Sequence, residues 1–166
     1  MEPDFDTVLV GVGAGSSSST RAILGMGVAQ ATAIADARAA RMRHLDETGV
    51  DVHLIADGGM RSGGDIAKAM VCGADAVMIG GPLAAASEAP GRGWHWGQAA
   101  VHADLPRGHR TRVTPAGSLR EVLHGPARDD SGSGNLVGAL RRTMALTGYD
   151  TTKELQKAEL VIHPRP

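Results

Sequence analysis

The sequence predicts an α/β fold with a parallel sheet, and three observations support that prediction. Short apolar runs typical of strands alternate with longer runs typical of helices through the first half of the chain, which is the order that right-handed βαβ units require. Each strand-like run ends in a glycine-rich turn. The 166 residues include 23 glycines and 2% aromatic residues, which favours an alanine- and glycine-rich α/β protein over a β-sandwich.

Three strands and two helices are predicted within residues 7–86, where we expect the βα units of a single domain. The strands are predicted at 7–10, fully buried, at 52–56, buried, and at 76–79. The first helix is predicted over 28–47 and ends at Gly49, with one apolar face made of Ala31, Ala35, Ala39, Met42 and Leu45. The second helix is predicted over 65–71 and is stopped by Gly73.

Residues 87–134 show no sustained period and are predicted as one long irregular region, since prolines and glycines interrupt them. A region of this kind is usually a functional lid or a disordered segment. Within it, the run 94–96, Trp-His-Trp, is predicted either as the tip of a lid over a ligand or as a hydrophobic anchor. Two helices are expected within 135–162, over 135–144 and 151–158, the second with Thr151 or Thr152 as its N-cap.

Composition excludes several classes of protein. The net charge is -1 without a basic block, which gives no reason to expect a nucleic-acid or membrane-surface partner. We find neither an apolar run long enough to span a membrane nor the residue order of a signal peptide. The single cysteine excludes an internal disulfide and fits a cytoplasmic protein. The seven histidines lack metal-binding spacing.

The segment 10–21 is a glycine- and serine-rich loop that leaves the first predicted strand. Alternating glycines at 11, 13 and 15 expose backbone amides, and the serines add hydroxyl donors, a combination that suits an anion such as phosphate. Together with the turns at Gly58 and Gly80, this loop is predicted to surround one phosphate, aided by a helix N-terminus near Gly63 or Pro82. The alternative is that the glycines only permit tight turns.

Several single residues have a functional and a structural interpretation. Asp57 follows a strand, where it can accept hydrogen bonds from a ribose diol or simply cap its turn. Asp65 and Asp75 are expected to cap helices or to be solvated, and Cys72 is expected to be a buried small residue. Without an adjacent base or a GxSxG motif, the serines 16–19 are expected to bind phosphate or backbone rather than to act as nucleophiles.

Five blocks of sequence occur in an order and spacing that one known enzyme family shares. They are VGVGAGSSSSTR, GMGVAQATAI, IADGGMRSGGDIAKAMVCGADAVMIGGPLA, EAPG and LVGALRRTMALTGYDTTKELQKAELV. On these blocks the chain resembles the IMP dehydrogenase/GMP reductase family, above all its short members without CBS domains, which share the RGWHW region. The resemblance runs from about residue 7 to 161 and is weakest over 98–133.

The resemblance implies a fold and a ligand. It implies a (β/α)₈ barrel, of which this chain would form a partial barrel of strands six to eight, followed by a flap over 87–134 and C-terminal helices. The ligand implied is a purine nucleoside monophosphate. By position, the implied phosphate contacts are Ser16, Gly58, Gly59, Gly80 and Gly81, the ribose contact is Asp57, and the residues lining the nicotinamide side are Gly11, Val12 and Gly13.

The resemblance also implies the chemistry of purine nucleotide metabolism. In the family, a cysteine thiolate attacks purine C2, a hydride passes to NAD and the thioimidate is hydrolysed, whereas the reductases use NADPH and release ammonia. Potassium-dependent members bind the cation through carbonyls equivalent to those of Gly13, Gly15 and Ser18. Arg92 is the nearest candidate for the catalytic arginine of the family's flap.

Two departures from the family pattern weaken that implied activity. Ser18 stands at the position of the catalytic cysteine, and a serine needs a coupled base where a cysteine forms a thiolate near neutral pH. The chain also begins just before strand six, whereas a complete barrel has eight strands in about 250 residues. We therefore expect a truncated member that binds a purine monophosphate, is catalytically impaired, and covers its open sheet as a homo-oligomer or by pairing with a full-length relative.

Other interpretations stay open at this stage. The chain is alternatively an active NAD(P)-dependent oxidoreductase on IMP or GMP, a non-catalytic nucleotide-responsive subunit, or a fragment of an FMN-binding barrel. The phosphate motif alone does not separate these, because FMN-binding barrels use a similar one. IMP, XMP and GMP are equally compatible as ligands.

Overall fold

A three-stranded parallel sheet lies at the centre of the computed structural model, which describes residues 5–97 and 110–161. Its strands, in the spatial order β1-β2-β3, are β1 (Thr7–Val10), β2 (His53–Asp57) and β3 (Ala76–Met78). Val10 pairs with Ala56, and Asp57 pairs with Met78. The three predicted strands are therefore confirmed to within one residue at each end, and their carboxyl ends lie at one edge of the sheet.

Helices and one hairpin complete the described part of the chain. The antiparallel hairpin consists of β4 (Trp94–Trp96) and β5 (Arg110–Arg112). The helices are α1 (Thr20–Leu24), α2 (Gln30–Thr48), α3 (Gly63–Cys72), α4 (Gly81–Ala84), α5 (Leu119–His124), α6 (Leu136–Thr147) and α7 (Thr152–Leu155). No helix among these is long and apolar enough to cross a membrane.

Three of the helices begin with the same capping box, in which a hydroxyl and a carboxylate satisfy the first free amides. The pairs are Ser62 with Asp65 at α3, Ser118 with Glu121 at α5, and Thr151 with Glu154 at α7. The predicted capping role of Asp65 is confirmed, and of the two candidate N-caps for the last helix, Thr151 is correct. Partial burial opposes ionisation of Asp65, but contacts with Lys68 and Ser62 hold its pKa below the ordinary value.

The helices cover one face of the sheet only. Val10, Leu54 and Ala56 point toward this face and pack in one apolar core with Ile34 of α2 and Ile66 of α3. Side chains on the other face alternate with them, and Leu9 is 56% exposed. The prediction of a fully buried first strand is therefore wrong: an apolar run shows that a strand can be buried on both faces, but not that both faces are covered.

The predicted apolar face of the first helix is also wrong. The buried residues of α2 are Ile34 and Arg41, whereas Ala31, Ala35 and Met42 are exposed. In an alanine-rich helix small side chains occur on every face, so their spacing does not select one. The orientation of α2 follows instead from Ile34, which enters the core, and from Arg41, which pairs with Asp75.

Asp75 is the centre of a polar cluster rather than a helix cap or a solvated carboxylate. It pairs with Arg41 of α2, accepts a hydrogen bond of 3.0 Å from the Leu54 amide of β2, and accepts one of 3.2 Å from Gln156. Lys153 lies 3.5 Å away. Partial burial alone would raise the pKa of Asp75, but these bonds and charges lower it. The cluster therefore ties the C-terminal segment to α2 and to the sheet.

Residues 87–134 are more ordered than predicted. They include β4, β5 and α5, although residues 98–109 of the predicted irregular region lie outside the described part of the chain. Arg110 stacks 4.9 Å from the ring centre of Trp96, and Arg112 stacks 4.7 Å from that of Trp94. Strands of three residues are too short to show a period in the sequence, so only these cross-strand pairs reveal the hairpin.

Candidate phosphate-binding site

The first two glycine-rich turns touch each other backbone to backbone. A Cβ added to Gly58 would lie 2.7 Å from the nitrogen of Gly15 and 3.0 Å from the carbonyl carbon of Ala14. Gly58 also has a φ of +96°, in the region where a side chain is strained. Only glycine fits this position, and its absence of a side chain lets the loop after β1 approach the turn after β2.

A second close approach lies where the two strands end. A Cβ on Gly11 would fall 2.0 Å from the carbonyl oxygen of Asp57. Gln30, near the start of α2, donates from its side-chain nitrogen to Val10 at 2.7 Å and to Asp57 at 3.3 Å, in both cases to the backbone carbonyl. The amide of Gln30 thus joins the carboxyl ends of β1 and β2 and fixes the separation of their turns.

The third turn joins the first through a serine. A Cβ on Gly81 would lie 3.7 Å from the hydroxyl oxygen of Ser16, and one on Gly59 would lie 3.6 Å from the carbonyl oxygen of Ala14. The turns after β1, β2 and β3 therefore meet at one edge of the sheet. The residues that the sequence predicts as phosphate contacts are thereby brought together: Ser16, Gly58, Gly59, Gly80 and Gly81.

The helix N-termini contribute less than the sequence suggests. Gly63 at the start of α3 is packed against α6, where an added Cβ would lie 2.2 Å from Cβ of Ala139. Ser62 and Asp65 cap that helix end from within the chain. Pro82, by contrast, directly follows the Gly80–Gly81 turn in the short helix α4. The first turn of α3 is therefore occupied by the protein itself and is not a free anion site.

Asp57 stands at the end of β2 with an exposed side chain. Its backbone carbonyl accepts from Gln30, while its carboxylate makes no hydrogen bond within residues 5–97 and 110–161. The carboxylate is thus not committed to capping the turn, which was the structural interpretation of this residue.

Ser18 lies half-buried in the serine loop and forms hydrogen bonds with the backbone of neighbouring residues in that loop. Its amide donates to the carbonyl of Gly15 at 3.0 Å, and its hydroxyl accepts from the amide of Thr20 at 3.3 Å. In the part of the chain that the structure describes, no histidine, lysine or carboxylate is hydrogen-bonded to this hydroxyl. A serine without such a base is a poor nucleophile.

The positions that the family resemblance assigns to a cofactor and a cation differ in accessibility. Gly11 and Val12 are exposed, as a nicotinamide-lining segment must be. Gly13 is packed on its own loop, where an added Cβ would lie 3.0 Å from the carbonyl oxygen of Met26. The carbonyl of Gly15 accepts from Ser18 and keeps one lone pair for a cation. Gly11 and Val12 are thus accessible to a cofactor, and the carbonyl of Gly15 retains acceptor capacity for a cation.

His95 also lies at this site, although the sequence predicts a role only for the run 94–96 as a whole and not for this histidine as a single ligand contact. A Cβ on Gly80 would lie 3.1 Å from Nε2 of His95 and 3.3 Å from Cε1, so the ring edge of the histidine rests on the third turn. The sequence offers no paired histidine or spacing motif for it. What the sequence does show is that His95 lies between two tryptophans. If these three residues form a strand, the His95 side chain lies on the face opposite the tryptophans.

Other candidate groups lie away from the turns. Cys72 is half-buried at the end of α3, and burial raises the pKa of its thiol, as expected for a structural cysteine. Within the described ranges, no three histidine, cysteine or acidic side chains are grouped as metal ligands. A cavity of about 450 Å³ between α4, β4 and α5 is lined mainly by apolar side chains and borders His95, but it does not include the glycine turns.

Comparison with known proteins identifies the family. The sequence profile of the IMP dehydrogenase / GMP reductase domain matches residues 1–103. An uncharacterized oxidoreductase of Mycolicibacterium smegmatis is 54% identical over 132 residues, which cover 78% of this chain and 35% of that protein. Inosine-5'-monophosphate dehydrogenase of Escherichia coli K12 is 39% identical over 156 residues, which cover 77% of this chain and 29% of the enzyme.

A solved structure agrees with the sequence comparison. The crystal structure of an IMP dehydrogenase/GMP reductase-like protein from Corynebacterium glutamicum superposes with a TM-score of 0.86 and 45% sequence identity, covering 95% of this chain and 42% of that one. The chain thus spans about a third of the length of the oxidoreductases it matches. Its α/β fold, its glycine turns and these relatives together show that the chain belongs to the IMP dehydrogenase/GMP reductase family.

Proposed function

We propose that this chain binds a purine nucleoside monophosphate through its phosphate and lacks the thiolate chemistry of its family. The convergence of three turns at one sheet edge carries the proposal, since Gly58 contacts the loop of Gly15 and Ser16 lies against Gly81. Backbone amides and a serine hydroxyl gathered in this way form an anion cradle. The family resemblance implies the phosphate of a purine nucleotide as that anion, and we infer that the chain takes part in purine nucleotide metabolism.

Each group in the cradle has a proposed role. The amides at Gly58, Gly59, Gly80 and Gly81 and the hydroxyl of Ser16 bind the phosphate oxygens. The carboxylate of Asp57, exposed and without a hydrogen bond among the described residues, accepts from the ribose hydroxyls. Gln30 holds the first two turns at the separation that a phosphate requires, because it bonds the ends of both strands.

We propose that this chain differs from its family in the chemical step, the attack of the nucleophile on the purine. NAD or NADPH would supply hydride transfer beside the exposed Gly11 and Val12, and a monovalent cation such as potassium would sit on the carbonyls of Gly13, Gly15 and Ser18. The Ser18 hydroxyl would have to replace a thiolate, yet no described base is bonded to it. We infer that substrate binding is retained while attack on the purine is lost.

We also infer how the fold relates to the family's barrel. The strands β1, β2 and β3 correspond to strands six, seven and eight of the (β/α)₈ barrel, each followed by a glycine turn at the ligand-binding end. Ligand sites of such barrels lie at the carboxyl ends of the strands. The hairpin of β4 and β5 then corresponds to the flap that follows the last strand, and Arg92, in the turn before β4, stays the proposed flap arginine.

A calorimetric titration tests the proposed function. IMP and GMP are titrated in parallel with inosine and guanosine, and FMN serves as the competing class of phosphate ligand. We expect at least one monophosphate to bind about tenfold or more tightly than its nucleoside, since charge-assisted hydrogen bonds to phosphate are absent from the nucleoside complex. Equal affinities for nucleotide and nucleoside, or tighter binding of FMN, contradict the proposal.

Turnover is measured on the same protein. NADH formation from IMP with NAD, and NADPH consumption with GMP, are expected to stay at background. Turnover above background shows that Ser18 or another group supplies the nucleophile, and the chain is then an active oxidoreductase.

A second candidate function follows from the uncovered face of the sheet. Leu9 is 56% exposed, Met78 is 45% exposed, and Phe5 beside β1 is 50% exposed. Clustered apolar side chains of this kind mark an interaction surface, and among the described residues β1 and β3 each have one unpaired edge. We propose that a second copy of the chain covers this face, which would make the protein a self-associating, nucleotide-responsive subunit.

Light scattering after size-exclusion chromatography tests this second function. We expect a mass of twice the chain for the wild type and of one chain for Leu9→Lys, which places a charge on the face. Leu146→Lys, at an exposed position of α6, is the matched control and is expected to stay dimeric. A monomer with and without IMP contradicts the second function, and a complex that forms only with a full-length relative reassigns the partner.

A further inference from the structure

We propose that His95 is a phosphate-binding residue of this site and donates a hydrogen bond from its imidazole to the bound phosphate beside the Gly80–Gly81 turn. The inference rests on the proposed function and extends it to a side chain on the hairpin. It makes that hairpin a wall of the anion cradle rather than a separate hydrophobic anchor.

The hairpin determines the direction of the imidazole. Side chains alternate along a strand, and both neighbours of His95 in β4 are tryptophans that stack with arginines of β5. Trp94 and Trp96 therefore lie on the same face of the hairpin as their arginine partners, and they are 39% and 49% exposed. His95 lies on the opposite face of the strand, and its ring edge meets the backbone of Gly80.

A second contact fixes the hairpin against the serine loop. A Cβ on Gly97, the residue after β4, would lie 3.3 Å from the hydroxyl oxygen of Ser17. The neighbouring Ser16 lies against Gly81. The end of β4 therefore lies beside the serine loop, while the Nε2 edge of His95 lies beside Gly80 and the hydroxyl of Ser16 lies beside Gly81 in the same turn.

The imidazole adds a side-chain N–H donor to a cradle made mainly of backbone amides and serine hydroxyls. A nucleoside monophosphate carries close to two negative charges at neutral pH, and the first two turns also contain two arginines, Arg21 and the exposed Arg61. Arg21, the cationic residue nearest in sequence to the serine loop, donates to the carbonyl of Val28 at 3.2 Å and packs on Gly27. It is therefore committed elsewhere. An imidazole carries at least one ring N–H in either protonation state, and that N–H can donate to a phosphate oxygen.

Two variants of His95 test the inference. His95→Leu keeps a side chain of similar size but removes the donor, whereas His95→Gln keeps a donor near the position of Nε2. We expect His95→Leu to bind IMP about tenfold more weakly, the usual effect of losing one charge-assisted hydrogen bond, and to bind inosine as the wild type does. His95→Gln is expected to recover part of the IMP affinity. His124→Leu, at the exposed end of α5, is the control.

The outcomes separate this inference from the proposed function. If His95→Leu binds IMP as tightly as the wild type while Ser16→Ala binds it more weakly, the histidine is not a phosphate ligand and the proposed function stands. If His95→Leu loses IMP and inosine affinity equally, its role is structural and the inference is wrong. If the wild type does not distinguish IMP from inosine, both fail.

A second measurement needs no variant to fold. Inorganic phosphate is titrated into the wild type, and the ring resonances of the histidines are followed by NMR. We expect the His95 ring to shift with saturation and the His124 ring to stay in place. A His95 ring that does not respond to bound phosphate overturns the inference, even if His95→Leu proves unstable.

Discussion

The side-chain nitrogen of Gln30 donates a hydrogen bond of 2.7 Å to the backbone carbonyl of Val10. The same nitrogen lies 3.3 Å from the carbonyl oxygen of Asp57, so one amide joins the last residues of two neighbouring strands. Gln30 is not itself a predicted ligand contact, although it bonds the backbone of Asp57, the predicted ribose contact. It acts as a positioning residue, because the turns that follow Val10 and Asp57 form two of the three sides of the cradle.

Replacing Gln30 is expected to affect both stability and binding. Gln30→Leu leaves two carbonyls without this donor, which costs about 1 kcal/mol of unfolding free energy for each net hydrogen bond lost. Because the turns lose their fixed separation, IMP affinity should fall several-fold. Urea unfolding and calorimetry measure the two effects. Thr32→Ala, at an exposed position in the first turn of α2, is the control, and a Gln30→Leu protein that binds IMP like this control contradicts the positioning role.

Two glycines make a matched pair with opposite expected outcomes. Gly58→Ala places a Cβ 2.7 Å from the Gly15 nitrogen at a φ of +96°, so we expect a loss of about 2 kcal/mol or more of stability together with loss of IMP binding. Gly64→Ala lies within α3, where the nearest atom to the new Cβ is 3.7 Å away. It should gain about 0.5–1 kcal/mol. Thermal unfolding compares them, and equal effects would mean that the contact between the turns is not needed.

Because the pKa of Asp75 is lowered in the folded chain, we expect the stability of the fold to depend on pH. The pKa of this carboxyl is lowered despite partial burial, through the Leu54 amide, Gln156 and Arg41. The carboxylate therefore stabilises the fold above the unfolded-state pKa of about 3.9, and this stabilisation is lost as the pH falls below 4 through the folded-state pKa.

Asp75→Asn is the variant that tests this prediction. It leaves Arg41, with its side chain 4% exposed, without a buried counter-charge, which costs about 3 kcal/mol at neutral pH. Urea unfolding at pH 7 and at pH 3 should show a large difference between wild type and Asp75→Asn at the higher pH and a smaller one at the lower pH. A difference that is constant with pH contradicts the assignment.

A cysteine at position 18 reports on the accessibility of that position in the serine loop. Ser18→Cys is expected to react with an alkylating reagent faster than Cys72, whose pKa is raised by burial, because only the thiolate reacts. Saturating IMP should slow alkylation at position 18 and leave Cys72 unchanged, so Cys72 serves as the internal control. Mass spectrometry of the alkylated peptides measures both rates. Equal rates with and without IMP would place the ligand away from the serine loop.

The sheet and its turns could be predicted from the sequence because their signals are local. Apolar runs at 7–10, 52–56 and 76–79 end in glycines, and a parallel sheet necessarily places those ends at one edge. The contact of Gly58 with Gly15 follows the same logic, since glycines at successive strand ends permit close approach of their loops. These relations need no knowledge of distant packing.

Features that depend on distant partners could not be predicted. The buried face of α2 follows from the pairing of Arg41 with Asp75, 34 residues away along the chain, which no spacing within the helix reveals. The exposure of Leu9 reflects which face of the sheet the helices cover. The place of His95 depends on a three-residue strand whose partner, Arg110–Arg112, lies beyond residues 98–109.

The central claim is that the three turns bind the phosphate of a purine nucleotide, and titration of the ¹⁵N-labelled chain with IMP, followed by amide NMR, tests it most directly. We predict saturable shifts concentrated at Ser16, Gly58, Gly59, Gly80 and Gly81, with small shifts at the exposed end of α6. Inosine should leave the turn amides in place. Shifts centred on another part of the chain, or turn amides that do not respond to IMP in the folded protein, would contradict the account.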